Sequence, residues 1–336
     1  MRAIVATLVT CLFILGHPLL TRAQRLTRAV IGYSALQAPM APLWIAKEQG
    51  LFAKYGIDPD LVFVRTTSVL IAGLFSGHIE MTYTGGSGAL SATRNGVDLR
   101  FIAAFGNRLT HVLVTHSEIQ KPKDLREKRI GVVSMGGTQW ITTKLGLEYL
   151  GLDERRDKIQ IVPIGDQTVL RTALERKSID AAFFNGVMGE DLKHKGYRIL
   201  ADLSAANIRS VVSGVVVKRS FLTKNRELIT NVLKALIEGL AFVVSPVRKP
   251  VVTRALMEHL KISARAAETG YQYLMKDLDI NLYPSIEGLQ NLQRFIQNYD
   301  PLIAEVKVAE LVDPTILRIL EESGFVEKTF TTYGVR

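Results

Sequence analysis

Two short stretches carry residue types whose spacing could do chemistry. In TYTGGSGAL, Gly85-Gly86-Ser87 stand between a strand-like MTYT and a helix-like ALSATRNG. In SMGGTQW, Gly136-Gly137-Thr138-Gln139 follow RIGVVSM and open a second helical stretch. Glycine at a strand-to-helix turn lets the backbone bend sharply and leaves the first N–H groups of the helix free, where the helix dipole favours negative charge. Both turns are thus suited to holding an anion or a polar ligand. A nucleotide loop demands more. A Walker turn needs Lys-Ser/Thr after its last glycine, and here Ala89-Leu90 follow Gly88. A dinucleotide turn needs GxGxxG in the first βα unit, whereas GGSG falls in the third.

Other site chemistries find no support. There is no GxSxG elbow, and the six histidines (His17, His78, His111, His116, His194 and His259) show no HExxH or similar ligand spacing. His111, at the start of HVLVTH, is the one placed to reach a pocket, although a lone histidine is more often structural. Cys11 is the single cysteine. Acidic residues stand singly near helix ends, where capping explains them, and Asp166 before QTVLRTALERK is one such cap. No catalytic dyad, metal site or cofactor is expected. Trp44 and Trp140 each stand near a helix start, where a ring either stacks on a ligand or joins the core.

The elements that must position these turns follow an α/β rhythm. Short apolar runs (AVIGYSA, DPDLVFVRT, IEMTYTG, RIGVVSM, KIQIVPIG, IDAAFFNG) alternate with amphipathic stretches, and 225–325 reads mostly as helix. Glycine-rich strand-to-helix turns in each half suggest two similar lobes facing one cleft. At 336 residues and 47% hydrophobic, the chain can bury a sizeable core. The 42 basic residues exceed the 32 acidic ones, giving +10, but they are scattered. Nucleic-acid binding would call for clustered Lys/Arg interleaved with aromatics, so it is not expected.

The N-terminus is a different object. MRAIVATLVTCLFILGHPLLTRAQ has one early arginine, a short apolar run and Thr21-Arg22-Ala23 at its end. This predicts a cleaved secretory signal over 1–23, because the apolar run is too short to span a bilayer comfortably. Cys11 lies inside that run rather than after it, which argues against a lipid anchor and leaves the mature chain without cysteine. A periplasmic protein without disulfides is expected.

Longer stretches carry a resemblance. APLWIAKEQGLFAKYGIDPDLV fits the pattern PxxxAxxxGxFxxxGI through Pro42, Ala46, Gly50, Phe52, Gly56 and Ile57. LFSGHIE and LERKSID recur in similar form after two helices. Over about 28–325 the chain resembles the solute-binding proteins of ABC importers for aliphatic sulfonates, taurine, nitrate and thiamine precursors. That resemblance implies an α/β type II periplasmic-binding-protein fold, two α/β lobes joined by two crossover strands around a ligand cleft. Lobe I would comprise 28–112 and 214–336 and lobe II 113–213, with crossings near 111–116 and 211–217. It also implies that polar side chains and helix-start N–H groups hold the ligand. By position these are Gln37, Ala38 and Pro39; Gly85, Gly86 and Ser87; Gly136, Gly137, Thr138 and Gln139; Asp166 and Gln167; and Asn185 and Ser213.

The implied protein is a monomeric receptor that passes a small sulfonate-, taurine-, nitrate- or pyrimidine-like molecule to a permease and its ATPase. Asp166 in such a cleft would repel an anion, so either it caps its helix away from the ligand or the ligand carries a donor or positive group. The competing reading is an enzyme of thiamine-pyrimidine synthesis on the same fold. Relatives of that kind are cytosolic and carry a cysteine-rich iron motif, whereas this chain has a predicted signal and a lone Cys11 within it. A carboxylate at Gly86 should block the cleft and spare the fold.

Overall fold

The computed structural model describes residues 26–335, and the predicted signal over 1–23 lies outside them. The βα rhythm of the first half becomes β1 (Thr27–Tyr33), α1 (Ala41–Glu48), α2 (Leu51–Lys54), β2 (Ile57–Phe63), α3 (Thr67–Ser76), β3 (Met81–Thr84), α4 (Gly86–Arg94) and β4 (Leu99–Arg108). A second series follows as β5 (Val112–Thr115), β6 (Arg129–Val132), α5 (Thr138–Tyr149), β7 (Gln160–Pro163), α6 (Gln167–Glu175), β8 (Ala181–Phe184), α7 (Gly186–His194) and β9 (Arg198–Asp202). β10 (Arg209–Lys218) leads into α8 (Arg219–Lys224), α9 (Arg226–Val244), α10 (Lys249–Leu260), α11 (Ala264–Asp277), α12 (Ile286–Gln297), α13 (Thr315–Glu322) and α14 (Phe325–Thr332).

The strands form two five-stranded sheets, ordered β2-β1-β3-β10-β4 and β7-β6-β8-β5-β9. In each, four strands run in one direction and the fourth in order lies antiparallel to both neighbours. Each sheet is thus the centre of one lobe. The chain crosses between them through Leu109, Thr110 and His111, and returns through 203–208.

The return comes earlier than the sequence suggests. β10 pairs with β4 from Arg209 onward and is inserted between β3 and β4, so 211–217 lies within the first sheet rather than at a crossing. Its central eight residues are all buried. Burial on both faces produces an apolar run that cannot be told from a crossover strand by pattern alone.

Helical packing ties the C-terminal region to both lobes. α9 buries Ile229, Val232, Leu233, Leu236, Ile237 and Leu240, a helical stripe that faces α1. α11 lies against α7 of the second lobe. That approach depends on Gly186, where an added Cβ would stand 2.1 Å from the Tyr273 ring, and on Gly270, where one would stand 2.7 Å from Val187 Cα.

Trp44 and Trp140 belong to this packing. Trp44 is 2% exposed and stacks on His259 with centroids 4.2 Å apart, while Trp140 is 3% exposed and meets Tyr299 edge-on at 4.6 Å.

Candidate functional site

Five helix starts converge between the sheets. Gln37 precedes the 3-10 turn Ala38–Met40, Thr67 opens α3, Gly85 is the N-cap of α4, Gly137 that of α5, and Asp166-Gln167 begin α6. Each follows one of the strands that run in the same direction in its sheet, so the sheet topology aims them at the same space. They line a cavity of about 60 Å³, within about 670 Å³ of atom-free space that includes its mouth. The remaining wall comes from Ser34, Ala35, Leu36, Met40, Thr84, His111, Val133, Ser134, Thr142 and Val212.

Of the predicted residues, Gln37, Gly85, Gly137, Gln139, Asp166 and Gln167 reach this wall. Gln139 is nevertheless committed elsewhere. Its Oε1 accepts the Val133 N–H at 3.0 Å and its Nε2 donates to the Phe183 carbonyl at 3.0 Å, so the side chain braces the wall. Asp166 both caps its helix and faces the cavity. Oδ1 accepts the N–H groups of Thr168 and Val169 at 3.0 and 3.1 Å, capping α6, while the residue also lines the cavity. Its Oδ2 meets Arg65 Nη1 of the opposite lobe at 3.2 Å, bridging the mouth.

The others lie behind or beside the wall. Ala38 and Pro39 are buried in the 3-10 turn, where the Tyr83 hydroxyl donates to the Pro39 carbonyl at 3.3 Å. Gly86 is roofed by α12, since an added Cβ would lie 2.6 Å from Leu292 Cδ1 and 2.7 Å from Leu289 Cδ2. The expectation that a carboxylate there would spare the fold is therefore corrected. Ser87 is fully buried in α4. Gly136 faces a shallow groove beside the cavity, and Thr138 opens α5. Asn185 caps α7 by accepting the Met188 N–H at 3.1 Å, and Tyr273 covers that helix start. Ser213 is buried in β10 opposite Gly106.

Sequence reasoning missed the hydroxyls. Ser34 at the end of β1 lies 3.3 Å from Thr67 and 3.2 Å from Thr84, oxygen to oxygen, forming a cluster on the first lobe. Thr66-Thr67 before SVLIAGLFS is a helix-start signal of the same kind as the glycine turns, and Thr66 accepts the Val69 N–H. His111 sits on the first crossing and is 6% exposed, its Nδ1 buried without a hydrogen-bond partner. Burial disfavours its charged form and lowers its pKa to about 4. Gln167 Oε1 is likewise buried and unpartnered. Among the described residues no cluster of His, Cys, Asp or Glu could hold a metal ion.

The arrangement suits reversible binding between two lobes. Comparison with known proteins identifies the family and the fold. The sequence pattern of the NMT1/THI5 like family matches residues 37–248. A Brucella abortus (strain 2308) protein named as a binding protein is 27% identical over 152 residues, which are 45% of this chain and 46% of that protein. The chain thus spans about half the length of the curated relatives it matches.

Solved structures extend the likeness to the whole fold. The periplasmic aliphatic sulphonate binding protein SsuA of Escherichia coli has a TM-score of 0.68 at 18% identity, covering 85% of this chain and 92% of that one. The periplasmic nitrate-binding protein NrtA of Synechocystis PCC 6803 has a TM-score of 0.73 at 14% identity, covering 91% of each. The desulfurization enzyme DSZB shares the fold too, with a TM-score of 0.61 at 18% identity over 88% of this chain and all of that one. The architecture is that of two-lobed periplasmic binding proteins.

Proposed function

The chain belongs to the NMT1/THI5 like family, and from that premise we propose that it is an exported solute receptor. It binds a small polar organic molecule between its lobes, in the periplasm, and delivers it to the permease and ATPase of an ABC importer. The observation that carries this reading is the cavity wall, where polar helix starts from both sheets enclose one small space. Ser34 in that wall contacts the Thr67 and Thr84 hydroxyls, and His111 Nδ1 has no partner.

Binding would work by completing bonds that neither lobe completes alone. Hydroxyls of the first lobe and the starts of α5 and α6 in the second contact opposite sides of the ligand. Occupancy then favours the closed arrangement, because the ligand interacts better with it than with an open one. The two crossings, only a few residues each, are where such a movement would pivot. The sulfonate- and nitrate-binding names of the structural neighbours support a small ligand; taurine and pyrimidine-like molecules also fall within the expected class. The receptor acts as a monomer and needs no cofactor.

The shared fold of a desulfurization enzyme keeps one second reading in view, an enzyme acting on a related small molecule, the pyrimidine-synthesis reading included. Thermal-shift and calorimetric titration of the purified protein separate the two. Nitrate, taurine, alkylsulfonates, pyrimidines and aromatic acids are the probes. One class should raise the melting temperature and be recovered unchanged at one molecule per chain, with stabilisation of about 2.7 kcal/mol at a hundredfold excess over Kd. Recovery of an altered molecule would instead establish the enzyme.

A further inference from the structure

The charge balance of the cavity constrains what it can hold. Among its described lining residues none is lysine or arginine, and Asp166 is the one carboxylate. The two N–H groups that Asp166 Oδ1 accepts are two of the donors the start of α6 would otherwise offer an anion. Its other oxygen holds Arg65 from across the mouth. An anionic ligand that recruited Arg65 would strand Asp166, whose side chain is 13% exposed.

The remaining wall is uncharged. His111 is buried and its lowered pKa keeps the ring neutral at neutral pH, so it supplies no counter-charge. Neutral imidazole and carboxamide each present an acceptor beside a donor. The hydroxyls of Ser34 and Thr84 do the same. A buried acceptor left without a donor, as Gln167 Oε1 is, is costly until a donor arrives.

Resting on the receptor reading, we propose that the ligand is an uncharged or amino-bearing molecule with N–H donors, and that Asp166 makes the site discriminate against simple oxyanions. This differs from the nitrate and sulfonate specificities named for the structural neighbours. It follows from the carboxylate at the start of α6 and the uncharged wall around it.

Matched probes test it by calorimetry: taurine against ethanesulfonate, benzamide against benzoate, and 4-aminopyrimidine against pyrimidine-4-carboxylate, with nitrate alone. In the pairs that bind, the N–H-bearing member should be at least about tenfold tighter, and nitrate should be weak. Asp166→Asn keeps an oxygen for the helix cap, so it should fold normally and narrow the gap to about threefold or less. Arg65→Met leaves the cap untouched and the carboxylate unpaired, so it should widen the gap. An oxyanion binding more tightly than its partner, or an unchanged gap in both variants, overturns the ligand class and leaves the receptor reading standing. Failure of every N–H-bearing probe to bind also overturns the class. Turnover of a probe overturns the receptor reading itself.

Discussion

Replacing Gln139 by leucine separates a strut from a ligand contact. In the fold its amide joins the Val133 N–H to the Phe183 carbonyl, both at 3.0 Å, and so links the ends of β6 and β8 beneath the cavity. Leucine is similar in size and at least as good a helix former, but it leaves both backbone groups stranded at a position only 8% exposed. Each stranded group costs about 1–3 kcal/mol. Added apolar burial offsets about 1 kcal/mol. The variant should therefore lose about 3 kcal/mol of unfolding free energy with no ligand present. Equilibrium denaturation followed by circular dichroism reads this as a lower midpoint at unchanged slope. Stability within about 0.5 kcal/mol of the parent, combined with lost binding, would refute the strut and restore Gln139 as a ligand contact.

Three further outcomes follow from the packing and the buried charges. Gly86→Asp should lower stability by at least about 2 kcal/mol, because its side chain enters the apolar seam made by Leu289 and Leu292; a normal melting temperature with binding abolished would contradict this. Glu238 is buried on α9 and accepts from Lys54 at 2.7 Å, Tyr55 at 2.5 Å and Tyr333 at 2.8 Å. Burial alone would raise its pKa, but those bonds outweigh it and hold the carboxyl below its ordinary value. Its contribution is therefore full above the unfolded pKa of about 4.3 and fades as pH falls through the folded value. The stability gap to Glu238→Gln should shrink as pH falls below about 4.3, and denaturation midpoints that keep a constant gap would refute it. Asp277 shows the opposite sign. Burial first, then the charge of Asp202, raises its pKa well above the ordinary value. It costs stability as pH rises above about 4, the unfolded value, toward the folded one. Asp277→Asn, which keeps an acceptor for Thr110, should gain on the parent across that rise, and parallel stability–pH curves would refute the assignment.

Most of the fold was legible because its signals are local. Apolar runs bounded by glycine mark the strands, and the turns at Gly85 and Gly137 are N-caps with extended backbones. Asp166 read as a cap because the residue type and the helix after it suffice. The same logic misled at Asn185, which has the local signature of a cleft-side helix start. Whether a helix start is open or covered depends on Tyr273, from a helix far along the chain. The return crossing failed for a related reason, since β10 was assigned by its apolar pattern and only its neighbours β3 and β4 show which sheet owns it.

The sequence by itself determined the strand-and-helix alternation and several of the strand-to-helix turns, because these depend on residue periodicity and on turn chemistry within a few positions. Tertiary structure decided which starts share one cavity and which are roofed by α11 and α12. It also decided that Gln139 is spent on the backbone, that the two tryptophans are core, and that Ser34, Thr67 and Thr84 meet. Those outcomes depend on contacts between segments distant in the chain, and no local pattern encodes the identity of the partner.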